Sequence, residues 1–146
     1  MNLKSITLTL LAFLTLGTTK AQPFKESKEE KEKRMQWFQD AKLGIFIHWG
    51  IYSVRGVTES WSFYNNYLSY DDYMSQLDGF TAKNYNPAEW AKLIKESGAK
   101  YTVITSKHHD GVALWDTQAS DLNTIKKTPA SRDLLTPFTK AIRKEG

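Results

Sequence analysis

Residues 86–111 read NPAEWAKLIKESGAKYTVITSKHHDG. Asn86 followed by Pro87, with Glu89 three residues past the cap, is the start signal of a helix. Trp90, Leu93, Ile94 and Ser97 fall on one side of it, and Gly98 supplies the C-cap. After Ala99 and Lys100 comes Tyr101–Ser106, a short β-branched run of the kind that forms a buried strand. It leads directly into Lys107-His108-His109-Asp110-Gly111.

Upstream, Ile45–Gly50 (IFIHWG) is a second short apolar run, ending in His48-Trp49-Gly50. A helix of mixed charge over Lys25–Lys42 precedes it, bringing Met35, Trp37, Phe38 and Ala41, and Gly44 is expected to stop that helix. Residues 51–85 are rich in Phe and Tyr without a sustained period. They suggest a long ordered loop with one short helix. Downstream, Leu134, Leu135, Phe138 and Ile142 have helical spacing, with Pro137 placed near the first turn. The order strand, loop, helix, strand, loop, helix is the alternation of an α/β protein with a parallel sheet. No internal repeat beyond this alternation is visible.

The chain has 146 residues, 40% hydrophobic and 13% aromatic, within the ordinary globular range. Lys4 precedes an apolar stretch from Ile6 to Leu16, and Thr19-Lys20-Ala21 offers small residues at both recognition positions. This pattern reads as a signal peptide (residues 1–21) cleaved after Ala21, with an apolar stretch too short to span a bilayer. Periplasmic or secreted location is expected, with no membrane association after cleavage. Without the leader, 18 basic and 16 acidic residues remain, a charge of +2, so the basic pI is no sign of nucleic acid. With no cysteine, neither disulfides nor an N-terminal lipid anchor is available.

In parallel α/β proteins ligands bind at the carboxyl ends of the strands. All three histidines of the chain, His48, His108 and His109, lie at such ends. A single histidine is commonly a satisfied core residue, and it is their coincidence that points to a site. A metal is disfavoured for the adjacent pair, because one strand presents ligands at i and i+2. A turn at Asp110-Gly111 instead lets both rings reach different atoms of a multi-hydroxyl ligand. Trp49, Trp61 and Trp115 flank the histidines, and indole faces stack on the apolar faces of sugars. Ordinary core packing is the alternative for any one of them. No cofactor is expected.

The stretches WFQDAKLGIFIHWGIYSV (37–54), ESW (59–61) and NPAEWAKLIKESGAKYTVITSKHHDGVALWDT (86–117) resemble the N-terminal part of the retaining α-L-fucosidases, glycoside hydrolase family 29. The resemblance runs from about Arg34 to Gly146. It implies a (β/α)8 TIM barrel, of which this chain holds the N-terminal part, roughly two of eight βα units. The implied domains are residues 22–33 as a charged helix or linker and 34–146 as a partial catalytic barrel, truncated at its C-terminus. It further implies that His48, Trp61, His108 and His109 bind the fucose of a fucosylated glycan. Many members carry Glu immediately before the tryptophan; here Ser60 intervenes, and Glu59, one residue earlier, is offered with Asp110 as a supporting residue of the site.

Retaining glycosidases need two carboxyl groups about 5–5.5 Å apart. The resemblance places both on later strands, so no catalytic residue is expected in this chain. Asp71, Asp72, Asp110 and Asp116 have no catalytic counterpart, and Asp110 is expected to fix the turn or orient a histidine. A barrel of this kind takes about 250 residues, against 125 after the leader. The chain is therefore expected to be a piece of a longer enzyme and inactive alone, its reading frame continuing to an aspartate after a fourth strand. A fucose-binding, lectin-like or pseudoenzymatic barrel is the alternative. Linkage preference and oligomeric state are not legible.

Overall fold

A computed structural model describes residues 25–146, and the leader expected at 1–21 lies outside them. Among the described residues, 25–36 fall in one unit and Trp37–Gly146 in a second. Helix α1, Lys28–Ala41, begins in the first and ends in the second. Its start is a reciprocal capping box. The Glu30 carboxylate accepts from the Ser27 N–H at 2.8 Å, and Ser27 Oγ accepts from the Glu30 N–H at 3.2 Å. Arg34 grips Glu26 through two nitrogens at 2.7 and 2.8 Å. No α1 side chain is buried, as its charge pattern predicts.

In the second unit, strands β1 (Gly44–Ile47) and β2 (Tyr101–Ile104) pair in parallel, Gly44 opposite Tyr101 and Ile47 opposite Ile104. Gly44 does not stop the helix. The chain turns out of α1 at Lys42, whose φ of 59° is left-handed, and Gly44 opens the strand. Glycine is required there by close approach, since a Cβ would fall inside the Tyr101 ring. Trp37 and Phe38, both exposed, reach the same ring at 6.0 and 5.3 Å.

Between the strands, residues 51–85 hold four short helical segments rather than one: a 3-10 turn at Ile51–Ser53, α2 at Trp61–Tyr64, α3 at Tyr70–Met74 and a second 3-10 turn at Ser75–Gly79. Each is too short to write a hydrophobic period into the sequence. They are set by local bonds such as the Ser69 cap on the Asp72 N–H at 3.0 Å. Helix α4, Pro87–Glu96, matches expectation at its start, where Asn86 Oδ1 accepts from the Ala88 and Glu89 N–H groups at 3.2 Å. Gly98 follows its end at φ 81°. Its inward stripe differs from the expected one. Ala91 is buried with Trp90 and Ile94 beside it, while Leu93 and Ser97 face solvent.

After β2 come α5 (Thr124–Lys127) and α6 (Leu135–Glu145), with Pro137 in the first turn of α6, which packs against α4. The core is built from Ile51, Tyr73, Phe80, Leu114, Leu134 and Phe138, between the 51–85 loop and the helices. Tyr85 closes it, its hydroxyl donating to the Leu134 carbonyl at 2.7 Å; burial pushes that phenol up to about 12. The strands are less covered than their sequences suggest. Phe46 and Val103 oppose each other in register and are 64% and 44% exposed. The described residues are thus α/β with a two-stranded parallel sheet.

Gly44→Ala should destabilise the protein by about 1–3 kcal/mol, the cost of overpacking against the Tyr101 ring. Urea unfolding followed by circular dichroism reads this difference, and an unchanged midpoint would exclude the close approach.

Candidate functional site

The carboxyl ends of β1 and β2 are tied by one side chain. Thr105 Oγ1 donates to the Trp49 carbonyl and accepts from the Trp49 N–H, both at 2.9 Å, while the Thr105 N–H bonds the Ile47 carbonyl at 3.1 Å. His48 lies between the last paired residue of β1 and this clamp, so its backbone is fixed on both sides. Trp49 itself turns inward, 5.2 Å from the rings of both Tyr85 and Trp90. It belongs to the core rather than to a ligand surface.

Past β2, His108–Gly111 is a tight turn. The Gly111 N–H bonds the His108 carbonyl at 3.0 Å, and Gly111 adopts φ 88°, which glycine alone takes without strain. Buried Asp110 holds the turn as expected: Oδ1 accepts from the Val112 N–H at 2.9 Å and Oδ2 from the Tyr73 hydroxyl at 2.8 Å. Burial and the Asp110 charge both push the Tyr73 phenol up, so it stays a donor. Residues 112–114 then thread the core, with Ala113 and Leu114 bonded to Leu122, Ser106, Thr124 and Leu134. Asn123, fully buried, caps α5 at 3.1 and 3.0 Å and supports this thread.

These supports bring the three histidines to one mouth. The ring centroids of His48 and His108 are 4.8 Å apart, and those of His108 and His109 are 5.0 Å apart and edge-on at 87°. Adjacent residues on a regular strand would point to opposite faces; the turn allows both to contribute. His48 also lies 5.2 Å from the Tyr52 ring. The Tyr52 hydroxyl is buried beside Thr105, whose own hydroxyl is committed to Trp49, and makes no hydrogen bond of good geometry. Burial pushes it up to about 12, leaving a protonated phenol buried behind the histidine rings.

The loop supplies the other wall. Ser60 Oγ is 3.2 Å from His108 Nδ1, and Trp61, half exposed, lines a cavity of about 350 Å³ with Ser60, Phe63, Tyr64 and His109. That volume lies in the range of small-molecule pockets. Trp115, expected beside the histidines, is not among the lining residues. A second depression, of about 310 Å³, is lined by Trp49, Phe80, Lys83, Tyr85 and Trp90 and includes no histidine.

Glu59 is where the structure adds most. One ligand atom from each of His48, Glu59 and His108 lies within 4.8 Å of the other two. The insertion of Ser60 before Trp61 therefore does not remove a carboxylate from the mouth. Sequence reading offered all three for one site but gave no spacing between them, because they come from three separate segments. The Ser60 contact with His108 was equally invisible, and no spacing rule would have found it. The expected argument against a metal concerned His108 with His109; the assembled trio is a different set. Asp71 and Asp72 lie in the first turn of α3, where Asp72 accepts from Ser69 Oγ at 2.7 Å.

Burial, with the neighbouring His48 imidazole, holds His108 below the ordinary histidine value, although Asp110 and Glu59 pull the other way. The His108 ring is thus neutral through the neutral pH range. A histidine depressed in the folded state contributes no penalty above its unfolded value near 6.5, and destabilises progressively as pH falls below that value. NMR titration should place the His108 midpoint below about 6.5, and His48→Gln should move it upward. A midpoint unmoved by that substitution would deny the coupling.

The family model described as Alpha-L-fucosidase matches residues 12–146. The tissue alpha-L-fucosidase of Macaca fascicularis is 35% identical over 92% of this chain and 34% of its own length. Among solved structures, alpha-L-fucosidase isoenzyme 1 from Paenibacillus thiaminolyticus is 40% identical at a TM-score of 0.71, over 80% of this chain and 27% of that one. The Thermotoga maritima alpha-fucosidase in complex with fucose is 36% identical at a TM-score of 0.65, over 85% and 35%. The chain spans about a third of the length of the curated relative. A match across nearly the whole chain, covering both histidine-bearing strand ends, shows that this protein belongs to the alpha-L-fucosidase family, glycoside hydrolase family 29.

Proposed function

We propose that this chain supplies the sugar-gripping part of an exported α-L-fucosidase that removes terminal α-L-fucose from glycans with retention, by double displacement. The observation that carries the reading is the meeting of His48, His108 and His109 at one mouth, beside Glu59 and the Trp61 cavity. The neutral His108 imidazole both donates and accepts, which suits vicinal hydroxyls. The Trp61 face takes the apolar side of the pyranose, and the Glu59 carboxylate accepts from a hydroxyl.

In this reading the nucleophile and the acid/base lie outside these 146 residues, on later strands of a (β/α)8 barrel. Both oxygens of Asp110 are committed to the fold, which argues against its use as either. The open Phe46–Val103 face is the kind of surface that closure of a barrel buries. The residues described here bind, orient and shield the sugar, and cleavage is the task of the carboxyl pair. Export rests on the leader read in residues 1–21, and its cleavage after Ala21 is testable by N-terminal sequencing of the mature protein.

Protein expressed from the complete gene should release 4-nitrophenol from 4-nitrophenyl α-L-fucoside. His109→Ala and His48→Ala should each lower kcat/KM about thirtyfold, as loss of roughly 2 kcal/mol of hydrogen bonding to the transition state requires. An unchanged kcat/KM in both variants would contradict the assignment. Calorimetric binding of L-fucose without release of 4-nitrophenol would instead establish the lectin-like alternative.

A further inference from the structure

We infer that His48, Glu59 and His108 form a capture site for a borderline divalent cation such as Zn²⁺, one that excludes sugar from the same mouth. Two imidazoles and a carboxylate are a complete protein ligand set for zinc with an open fourth position. Their ligand atoms already lie within 4.8 Å of one another. Ligand atoms around a tetrahedral zinc with bonds of about 2.0–2.2 Å are roughly 3.3–3.5 Å apart. The gap to close is at most about 1.5 Å, which rotation of the exposed His48 ring can cover.

The least mobile member is the one best prepared. Ser60 Oγ sits 3.2 Å from His108 Nδ1, which fixes the ring and leaves Nε2 to coordinate. Such an outer hydrogen bond is the usual support of a metal-binding histidine. Clamps on either side hold the other strand end, through Thr105 and Trp49. His109 stands edge-on to His108 and outside the trio, and Asp110 is occupied by Tyr73 and Val112. Among the described residues, the site therefore has these three protein ligands, with Asp110 already committed elsewhere. That composition favours Zn²⁺ or Cu²⁺ over Mg²⁺ and Ca²⁺, which want more oxygen donors.

The cation part of this inference stands apart from the sugar reading, whereas the exclusion of sugar rests on it. Chelator-treated protein titrated with zinc chloride by calorimetry should bind one equivalent, and magnesium chloride should give no such heat. Co²⁺ in place of Zn²⁺ should give the visible absorption of a four-coordinate site. Ser60→Ala should weaken zinc binding about tenfold, and Glu59→Gln and His48→Gln by more than about a hundredfold. His109→Gln should leave it unchanged. Circular dichroism of each variant separates lost ligands from lost fold.

Zinc heat that persists in both Glu59→Gln and His48→Gln, or its absence from the folded parent protein, overturns the assignment. L-Fucose titrated into zinc-free and zinc-loaded protein tests the exclusion. Binding only to the zinc-free form supports it, and equal binding to both forms refutes it. Zinc capture with no fucose binding in either form would leave the cation site standing and remove the sugar reading.

Discussion

The parallel register of Gly44–Ile47 on Tyr101–Ile104 is the constraint from which the site descends. It aligns the two strand ends, and the Thr105 clamp on Trp49 locks that alignment immediately past the last pair. A slip of one residue would turn each side chain to the opposite face and carry His48 away from His108. Gly44 sets the other end of the same register, because only a residue without Cβ admits the Tyr101 ring. Two close fits, one at each end of a four-residue ladder, therefore determine where the imidazoles meet.

The second support is polar and comes from the loop. Tyr73, rooted in the core, donates a hydrogen bond to Asp110, and the Val112 N–H donates another to its second oxygen. A buried carboxylate is costly unless its lone pairs are answered, and both oxygens here are answered. The turn that carries His108 and His109 is thus anchored to the segment that carries Glu59, Ser60 and Trp61. Loop and strand ends behave as one binding surface because Tyr73 and Ser60 each cross between them.

Features written in local chemistry were readable from sequence. Asn86-Pro87 announced α4, the β-branched runs announced the strands, and the histidines stood out at their ends. The family resemblance extended this to Trp61 and to the sugar. What escaped depends on contacts made over long sequence distances. Gly44 looks like a helix stop until Tyr101 is placed across from it. Leu93 fits the α4 stripe by spacing, yet Ala91 is what the neighbouring helix covers. Trp49 resembles a ligand platform by position, but Tyr85 and Trp90 draw it into the core. Glu59 sits one residue out of the family pattern, and only the folded loop shows its carboxylate beside the histidines.

The distance between the two strands has a consequence for biosynthesis. Ile45 and its bonding partner Thr102 are 57 positions apart. At about 5–20 residues per second, a ribosome leaves the first ladder segment without its mate for several seconds. During that interval the unpaired backbone edge of β1 is presented to its surroundings, because β2 has not yet been made. That open edge exists before the binding mouth can form, since the mouth needs both strands.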